Sequence, residues 1–408
     1  MISVCFITKN EDPWIGECID QLSGFVSEVI VVDTGSTDRT VEIAKSKGAK
    51  TFDFKWTGNF SEARNFSLSK ATQPWILKID PDERIDRAHL QKLVSLTLKN
   101  ILAVRCLTRA YTNSSQATSE DAFRACNGEF AQRERGYIGY KEQMYARLFK
   151  NIPGAHYTGI IHEDIEPSLR ELATSKDPIQ WVPEIIFHHY GLDQKAVDLK
   201  NKTAVYKKMM EEEVLKNNQY GFVWYELANL YYQEGNYQLA ADTFQKASDL
   251  DPKNIQTLNN LGHTLTLIGE RERGEKYLRE CLAVDSSNSN IWLNYAVSRM
   301  EAGDLHIAQN CFQKALTLSP DSLMAWRGYG QCLAHQGDYS NAEAAFRAAI
   351  TRCPGFIDAK VDLAVLLDSR GQRENGIKLL NESLTIDPTN ERVTLALKHF
   401  AEAKSTST

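Results

Sequence analysis

Glu28-Val29-Ile30-Val31-Val32-Asp33-Thr34-Gly35-Ser36-Thr37-Asp38 is the stretch that decides the fold of the first half of the chain. Four consecutive β-branched apolar residues are too few for a helix, and both faces of such a strand must be buried. The run stops at an acidic residue and passes into Thr, Gly and Ser, which favour turns and helix caps. The same form recurs on both sides. Ile2–Thr8, Lys50–Phe54 and Trp75–Ile79 read as further strands. Trp14–Phe25 and Thr37–Lys47 read as helices, and a third runs from Asn59, whose spacing to Glu62 makes a capping box, to Lys70. Continuous apolar strands alternating with amphipathic helices predict a parallel sheet covered on both faces. Ligands of such sheets collect at the carboxyl ends of the strands.

Those ends carry Thr8-Lys9-Asn10-Glu11, Asp33 with its turn, and Asp80-Pro81-Asp82-Glu83. Asp80 and Asp82 are two residues apart, so in extended chain both carboxylates face one side. Hard oxygen ligands in that arrangement suit Mg²⁺ or Mn²⁺ bridging a diphosphate. The alternative for the pair alone is an Asp-Pro-Asp turn with solvated carboxylates.

The second half repeats itself every 34 residues or so, a period that signals stacked helical hairpins. Pro252, Pro320, Pro354 and Pro388 share one register, with Ser286 filling the gap. Gly235, Gly269, Gly303, Gly337 and Gly371 share another, as do Ala228, Gly262, Ala296, Gly330 and Ala364, and Ala240, Gly274, Ala308, Ala342 and Gly376. Glycine permits the tight turn, small residues let two helices approach, and Trp224, Trp292, Trp326, Phe244, Phe312 and Phe346 fill the grooves. Five tetratricopeptide repeats fit residues 221–390, and 391–408 reads as a capping helix and tail.

Composition narrows the function. The net charge of −6 over 408 residues lacks the basic excess that favours nucleic acid. Met1–Thr8 is too short for a signal peptide, and no apolar stretch is long enough for a membrane span. The eight cysteines include no C-x-x-C pair and read as reduced structural thiols. A cytoplasmic location is the expectation.

Ile7-Thr8-Lys9-Asn10-Glu11, the 28–38 stretch, Phe60-Ser61-Glu62-Ala63-Arg64-Asn65 and Asp80-Pro81-Asp82-Glu83 together resemble the GT-A glycosyltransferases of family 2, in the bacterial branch that carries tetratricopeptide repeats. The likeness is dense over about the first 90 residues and looser at Arg147-Leu148-Phe149, His162-Glu163 and His189-Tyr190-Gly191. It implies an α/β GT-A domain over 1–191, a helical connector over 192–220, and then the all-α solenoid. It further implies a nucleotide-sugar donor, UDP-linked by preference, and inverting transfer. By the same resemblance Asp33 holds uracil or ribose, Thr8 and Glu11 flank the base, and Arg64 and Asn65 meet the donor. Asp80 and Asp82 form the D-x-D metal site, with Pro81 where the family usually has Ala. Arg147 is a candidate for the sugar or phosphate, with a surface ion pair as the competing reading. Glu163 is the candidate base, Asp164 its reserve, and His189 or His162 the candidate last metal ligand. The polar stretch Arg109–Tyr140, without clear periodicity, reads as a lid or acceptor loop.

Stacked repeats offer a groove for an extended peptide, with Asn229, Asn260 and Asn294 suited to its backbone, so a protein or peptide acceptor is expected. Homodimer formation or a spacer role competes for the repeats, and lipopolysaccharide core or another glycan competes as acceptor. A nucleotidyltransferase is disfavoured because Thr8–Glu11 lacks a glycine-rich phosphate loop. A scaffold with a decayed enzyme half is disfavoured because Asp33, Asp80 and Asp82 are all present.

Overall fold

The computed structural model describes residues 1–113, 123–161, 163–174, 178–191, 196–216, 219 and 221–405. It divides into two compact units, Met1–Thr112 with Phe130–Glu213, and Asn113–Glu129 with Val214–Thr408.

The first unit is built on β1 (Ile2–Thr8), β2 (Glu28–Asp33), β3 (Lys50–Asp53), β4 (Trp75–Leu77), β5 (Glu83–Ile85), β6 (Ala103–Thr112), β8 (Gly139–Lys150) and β9 (Ile179–His189); the short β7 (Phe123–Ala125) falls between β6 and β8 in the chain. Its helices are α1 (Ile15–Leu22), α2 (Thr40–Ser46), α3 (Phe60–Leu68), α4 (Arg87–Ser95), α5 (Ala131–Glu134), α6 (Glu166–Glu171) and most of α7 (Ala196–Lys216). Asn59 caps α3 by accepting from the Glu62 amide, so the capping-box spacing was read correctly. Trp14 and the Ser23–Phe25 segment lie outside α1.

The strand order is β3-β2-β1-β4-β8-β6-β9-β5. β1, β2, β3 and β4 run parallel, but β4 meets β8 antiparallel, as do β6 with β8 and β5 with β9. The expected all-parallel sheet is therefore a mixed one. The strand–helix alternation leaves β1 to β4 parallel, but β8 runs back antiparallel between β4 and β6, while β6 and β9 pair in parallel. For the same reason Arg109–Tyr140 is not wholly a loop: Arg109–Thr112 and Gly139–Tyr140 belong to β6 and β8. Residues 114–122 lie outside the described residues, as does the start of the connector at 192–195.

Period-two burial splits β1 between two cores. Val4 and Phe6 pack with Ile15, Cys18, Ile19 and Leu22 of α1 and Leu90 and Leu93 of α4. Cys5 faces the other way, with Ile30, Ile76, Phe149 and Tyr157. All eight cysteines are free thiols. At the strand starts, buried Glu28 ties three segments together. It accepts from Ser3 Oγ at 2.5 Å, Lys50 Nζ at 2.7 Å and the Thr72 amide at 2.9 Å. Burial pushes its carboxyl upward, but these bonds outweigh that and hold it at about 2.

The second unit contains five helical hairpins: α8 (Gly221–Gln233) with α9 (Tyr237–Leu250), α10 (Ile255–Leu267) with α11 (Arg271–Val284), α12 (Ser289–Glu301) with α13 (Leu305–Leu318), α14 (Leu323–His335) with α15 (Tyr339–Arg352), and α16 (Ile357–Ser369) with α17 (Arg373–Ile386). Each turn glycine is left-handed, as at Gly235 with φ 78°. There the Asn236 amide reaches back to the Tyr231 carbonyl at 2.9 Å, closing the helix end. The small positions mark where helices touch: a Cβ on Gly330 would stand 2.7 Å from the Phe346 ring, and one on Gly262 would stand 2.9 Å from the Gly274 carbonyl. The indoles of Trp292 and Trp326 donate to the carbonyls of Ser286 and Pro320, each at 2.8 Å. Serine thus fills the proline register because the contact uses its backbone carbonyl. The last helix, α18 (Glu391–Ser405), buries Val393 and Phe400 against Val361, Ala364 and Leu380.

Two stability measurements check this account. Gly330→Val forces Phe346 aside and is expected to cost about 1–3 kcal/mol in urea unfolding, which Phe346→Leu partly restores. Glu28 has a depressed folded pKa, so its contribution is complete above the unfolded value of 4.5 and is lost as pH falls toward about 2. Glu28→Gln is expected to lower the melting temperature near neutral pH and to flatten that acid limb; an unchanged pH profile contradicts the assignment.

Candidate active site

Register brings the rim together. Thr8 of β1 pairs with Asp33 of β2, and Glu83 of β5 pairs with His189 of β9. The Asp80-Pro81-Asp82 turn is therefore closed from both sides: the Glu83 amide donates to the Asp80 carbonyl at 3.0 Å, and the Tyr190 amide donates to the Asp82 carbonyl at 3.2 Å.

Glu83 fixes the turn. Its carboxylate takes both Arg147 terminal nitrogens, at 2.8 and 2.6 Å, and the Asp80 amide at 2.8 Å. Arg147 also donates to Thr108 Oγ1 at 2.7 Å. Arg147 was expected at the sugar or phosphate; its side chain is 3% exposed and its fork is filled by Glu83. It is no surface ion pair; it supports the turn from beneath.

Arg64 is buried too. Its Nη2 lies 2.5 Å from Asp80 Oδ1 and its Nε 3.1 Å from Glu163 Oε1, where Lys78 Nζ also arrives at 3.2 Å. Burial opposes the guanidinium charge, but Asp80 and Glu163 more than restore it. Both acids are held below the usual carboxylate range: burial raises them, Arg64 and then Lys78 lower Asp80, and Lys78 and then Arg64 lower Glu163. Asn65 turns inward, exchanging hydrogen bonds with the Tyr157 backbone at 2.7 and 3.0 Å, so its side chain splints that loop and does not point toward a donor. Asp164 accepts from the Glu166 amide at 2.9 Å, just ahead of α6. His162 lies outside the described residues.

Asp82 Oδ2 stands 3.2 Å from His189 Nε2. Burial would lower His189, but Asp82 raises it to about 9. A Cβ on Gly191 would overlap the Asp82 carboxylate, so only glycine leaves room for it there. An oxygen and an imidazole nitrogen at this spacing fit a divalent cation, since neighbouring ligands about 2.1 Å from an octahedral ion lie about 3 Å apart. Asp80, half-exposed, is the adjacent carboxylate but is engaged by Arg64. Among the described residues no group of three or more acidic, histidine or cysteine side chains is gathered as a ready cation site.

Asp33 is engaged by its own loop and by Thr8. Oδ1 accepts from Ser36 Oγ at 2.5 Å and Thr8 Oγ1 at 3.2 Å, and Oδ2 from the amides of Ser36 at 2.9 Å and Gly35 at 3.0 Å. Four bonds fill a carboxylate's acceptor sites. Asp33 shapes the loop, and Thr8, 3% exposed, supports it from below. Glu11 starts α1: its carbonyl accepts from the amides of Trp14 and Ile15, and its own amide donates to Thr40 Oγ1 at 2.7 Å.

Sequence reasoning passed over Lys78, Glu83 and Gly191. Glu83 and Gly191 stood at the ends of motifs already noted; Lys78, a cation inside the apolar run Trp75-Ile76-Leu77-Lys78-Ile79, was the available signal for the third.

The first unit is a half-parallel sheet with an acidic turn at its rim, and the second is a set of stacked helical hairpins. Residues 3–162 match the glycosyl transferase family 2 model. Residues 293–355 and 333–400 match tetratricopeptide-repeat models, and 212–322 the TPR domain of cytochrome c-type biogenesis protein H. The first half of the chain is thus similar to glycosyl transferase family 2 over residues 3–162, and the second is a tetratricopeptide-repeat solenoid. A TPR repeat-containing protein of Synechococcus elongatus is 25% identical over 78% of this chain and 76% of its own length. A lipopolysaccharide core biosynthesis glycosyltransferase of Rhizobium meliloti, LpsC, is 26% identical over 40% of this chain and 62% of its own. A glycosyltransferase of Rickettsia typhi is 42% identical over 21% of this chain and 29% of its own. The chain thus spans less than two thirds of these two glycosyltransferases. No helix among the described residues is long and apolar enough to cross a membrane.

Arg64→Lys tests the charge cluster. Lysine keeps the charge but cannot bridge Asp80 and Glu163 with one planar fork. The expected loss is about 1–3 kcal/mol in urea unfolding, from hydrogen bonds to charged groups; wild-type stability contradicts the bridging role.

Proposed function

We propose that the chain transfers a sugar from a nucleotide-sugar donor, a UDP-sugar by preference, to a protein or peptide acceptor, with inversion and with Mg²⁺ or Mn²⁺ bound. The observation that carries the reading is the Asp82–His189 pair at the sheet rim, 3.2 Å apart over Gly191. When bound there, the cation supplies Lewis-acid neutralisation of the departing diphosphate. Asp82 and His189 would hold it, with Asp80 beside them. In the metal-free protein the Asp82 charge favours protonated His189, so cation binding displaces a proton.

Transfer forms a bond from an acceptor atom to the anomeric carbon while the carbon–oxygen bond to the diphosphate breaks, its electron pair leaving with the phosphate. The acceptor proton needs a base on the opposite side. Glu163 is the proposed base, because it is an ionised carboxylate joined to Asp80 through Arg64. Its pairing with Arg64 and Lys78 keeps its proton affinity low, so it accepts the proton as bond formation proceeds rather than beforehand. Asp164, the reserve candidate, accepts from the Glu166 amide through Oδ1.

The solenoid motivates the choice of a protein acceptor, since stacked repeats suit extended peptides. Asn260 already donates to Asn229 Oδ1 at 3.2 Å, so a peptide would compete with that contact. The similarity to LpsC favours a second reading, transfer to a lipopolysaccharide core or other glycan.

Asp82→Asn is expected to cut transfer more than about 100-fold, the order seen when one electrostatic stabiliser is removed, with little change in melting temperature. Mn²⁺ binding to the wild type is expected to strengthen as pH rises toward about 9. Full activity in Asp82→Asn rules out the metal reading. Labelled sugar recovered in protein supports the first acceptor class, and label in the glycolipid fraction supports the second.

A further inference from the structure

Three arginines gather around Glu17 and Tyr190. Arg84 is buried and donates to the carbonyls of Pro81 and Glu83, each at 2.8 Å, and to Glu17 Oε2 at 2.8 Å. Arg133 gives its Nε to Asp86 Oδ1 at 2.8 Å. Arg135 differs. Among the described residues its ionic partner is Glu17 Oε1 at 3.6 Å, too long for a hydrogen bond, and its side chain is 36% exposed.

Arg135 is nonetheless held in place. Its guanidinium carbon lies 4.3 Å from the centre of the Tyr190 ring. That ring stacks against Tyr111 at 5.4 Å, Tyr137 at 6.1 Å and Trp14 at 6.4 Å, and its hydroxyl donates to the Arg133 carbonyl at 2.8 Å. Tyr190 follows His189 directly and bonds the Asp82 carbonyl through its amide, so the platform beneath Arg135 is continuous with the Asp82–His189 pair. The backbone is specialised too. Arg135 adopts φ 47°, one of two non-glycine residues at positive φ among the described residues, with Gly136 following at φ 83°. A side chain costs energy in that conformation, where glycine would cost none. The chain thus puts a large cation at a position that conformation alone would give to glycine.

We propose that Arg135 binds the diphosphate of the nucleotide-sugar donor, its planar fork taking phosphate oxygens beside Asp82. The proposal rests on the donor reading above. Asp80 and Asp82 repel an anion, and approach of a diphosphate needs fixed positive charge nearby. Arg64 and Arg147 are buried in ion pairs, Arg84 is buried with its terminal nitrogens bonded, and Arg133 is drawn to Asp86 through its Nε. Arg135 has donors to give and a platform that aims them.

The test is calorimetric titration of the full chain with UDP, GDP, dTDP and the matching monophosphates, in Mn²⁺. Arg135→Gly suits the left-handed backbone, and Arg135→Asn is a second variant that tolerates it. Both are expected to weaken diphosphate binding by about 10- to 100-fold, the scale of charge-assisted hydrogen bonds, while monophosphate affinity and melting temperature hold. Wild-type diphosphate affinity in both variants overturns the proposal. An equal loss for mono- and diphosphates, with a lowered melting temperature, also overturns it, by showing that Arg135 merely braces Tyr190. Wild-type protein that binds no nucleoside diphosphate refutes the donor reading itself.

Discussion

A single buried carboxylate, Glu83, carries the arrangement of the catalytic rim. It neutralises Arg147 through a two-pronged bridge and receives the Asp80 amide, so the acidic turn cannot move without exposing an unpaired charge. Replacing such a pair with apolar residues often costs a protein little, but breaking it is expensive. Its value here is geometric. β5 begins at Glu83, and its pairing with β9 places His189 against Asp82. A three-residue strand would hold such a turn loosely without a locked first residue.

The charges above this foundation are arranged in layers. Arg147 and Glu83 lie deepest, joined by a two-pronged bridge. Arg64 and Lys78 come next, joining Asp80 and Glu163 so that two acids remain ionised side by side. Asp82, His189 and the half-exposed part of Asp80 face outward. The lower layers keep the carboxylates charged, and the outer layer is where a cation and phosphate would act. Low dielectric strengthens each interaction and holds the deepest pair, Arg147 with Glu83, in place beneath the turn.

The solenoid works by a different physics. Its stability comes from neighbour-to-neighbour contact, in which a missing side chain matters as much as a large one: Gly262 meets Gly274, and Gly330 makes room for Phe346. Such an arm can be rebuilt on its surface without disturbing its packing.

Much of this was legible in the residues themselves. The apolar run at Glu28–Asp33, the Asn59 cap and the 34-residue spacing of glycine and alanine each depend on local chemistry, so they could be read without knowing distant neighbours. The rim acids were legible too, because Asp80 and Asp82 follow a strand and strand ends are where ligands gather. Their roles were not. Whether Arg147 faces a ligand or a buried carboxylate depends on Glu83, 64 residues away in the chain. Whether Asn65 points out or clamps a loop depends on Tyr157, and the antiparallel return of β8 cannot be inferred from strands that look apolar in either direction. Sequence fixes which side chains carry charge and where the chain can turn. Only the folded chain decides which charges cancel one another, because pairing is a property of distance in space, and a few ångströms separate an arginine that grips a ligand from one that holds up the floor beneath it.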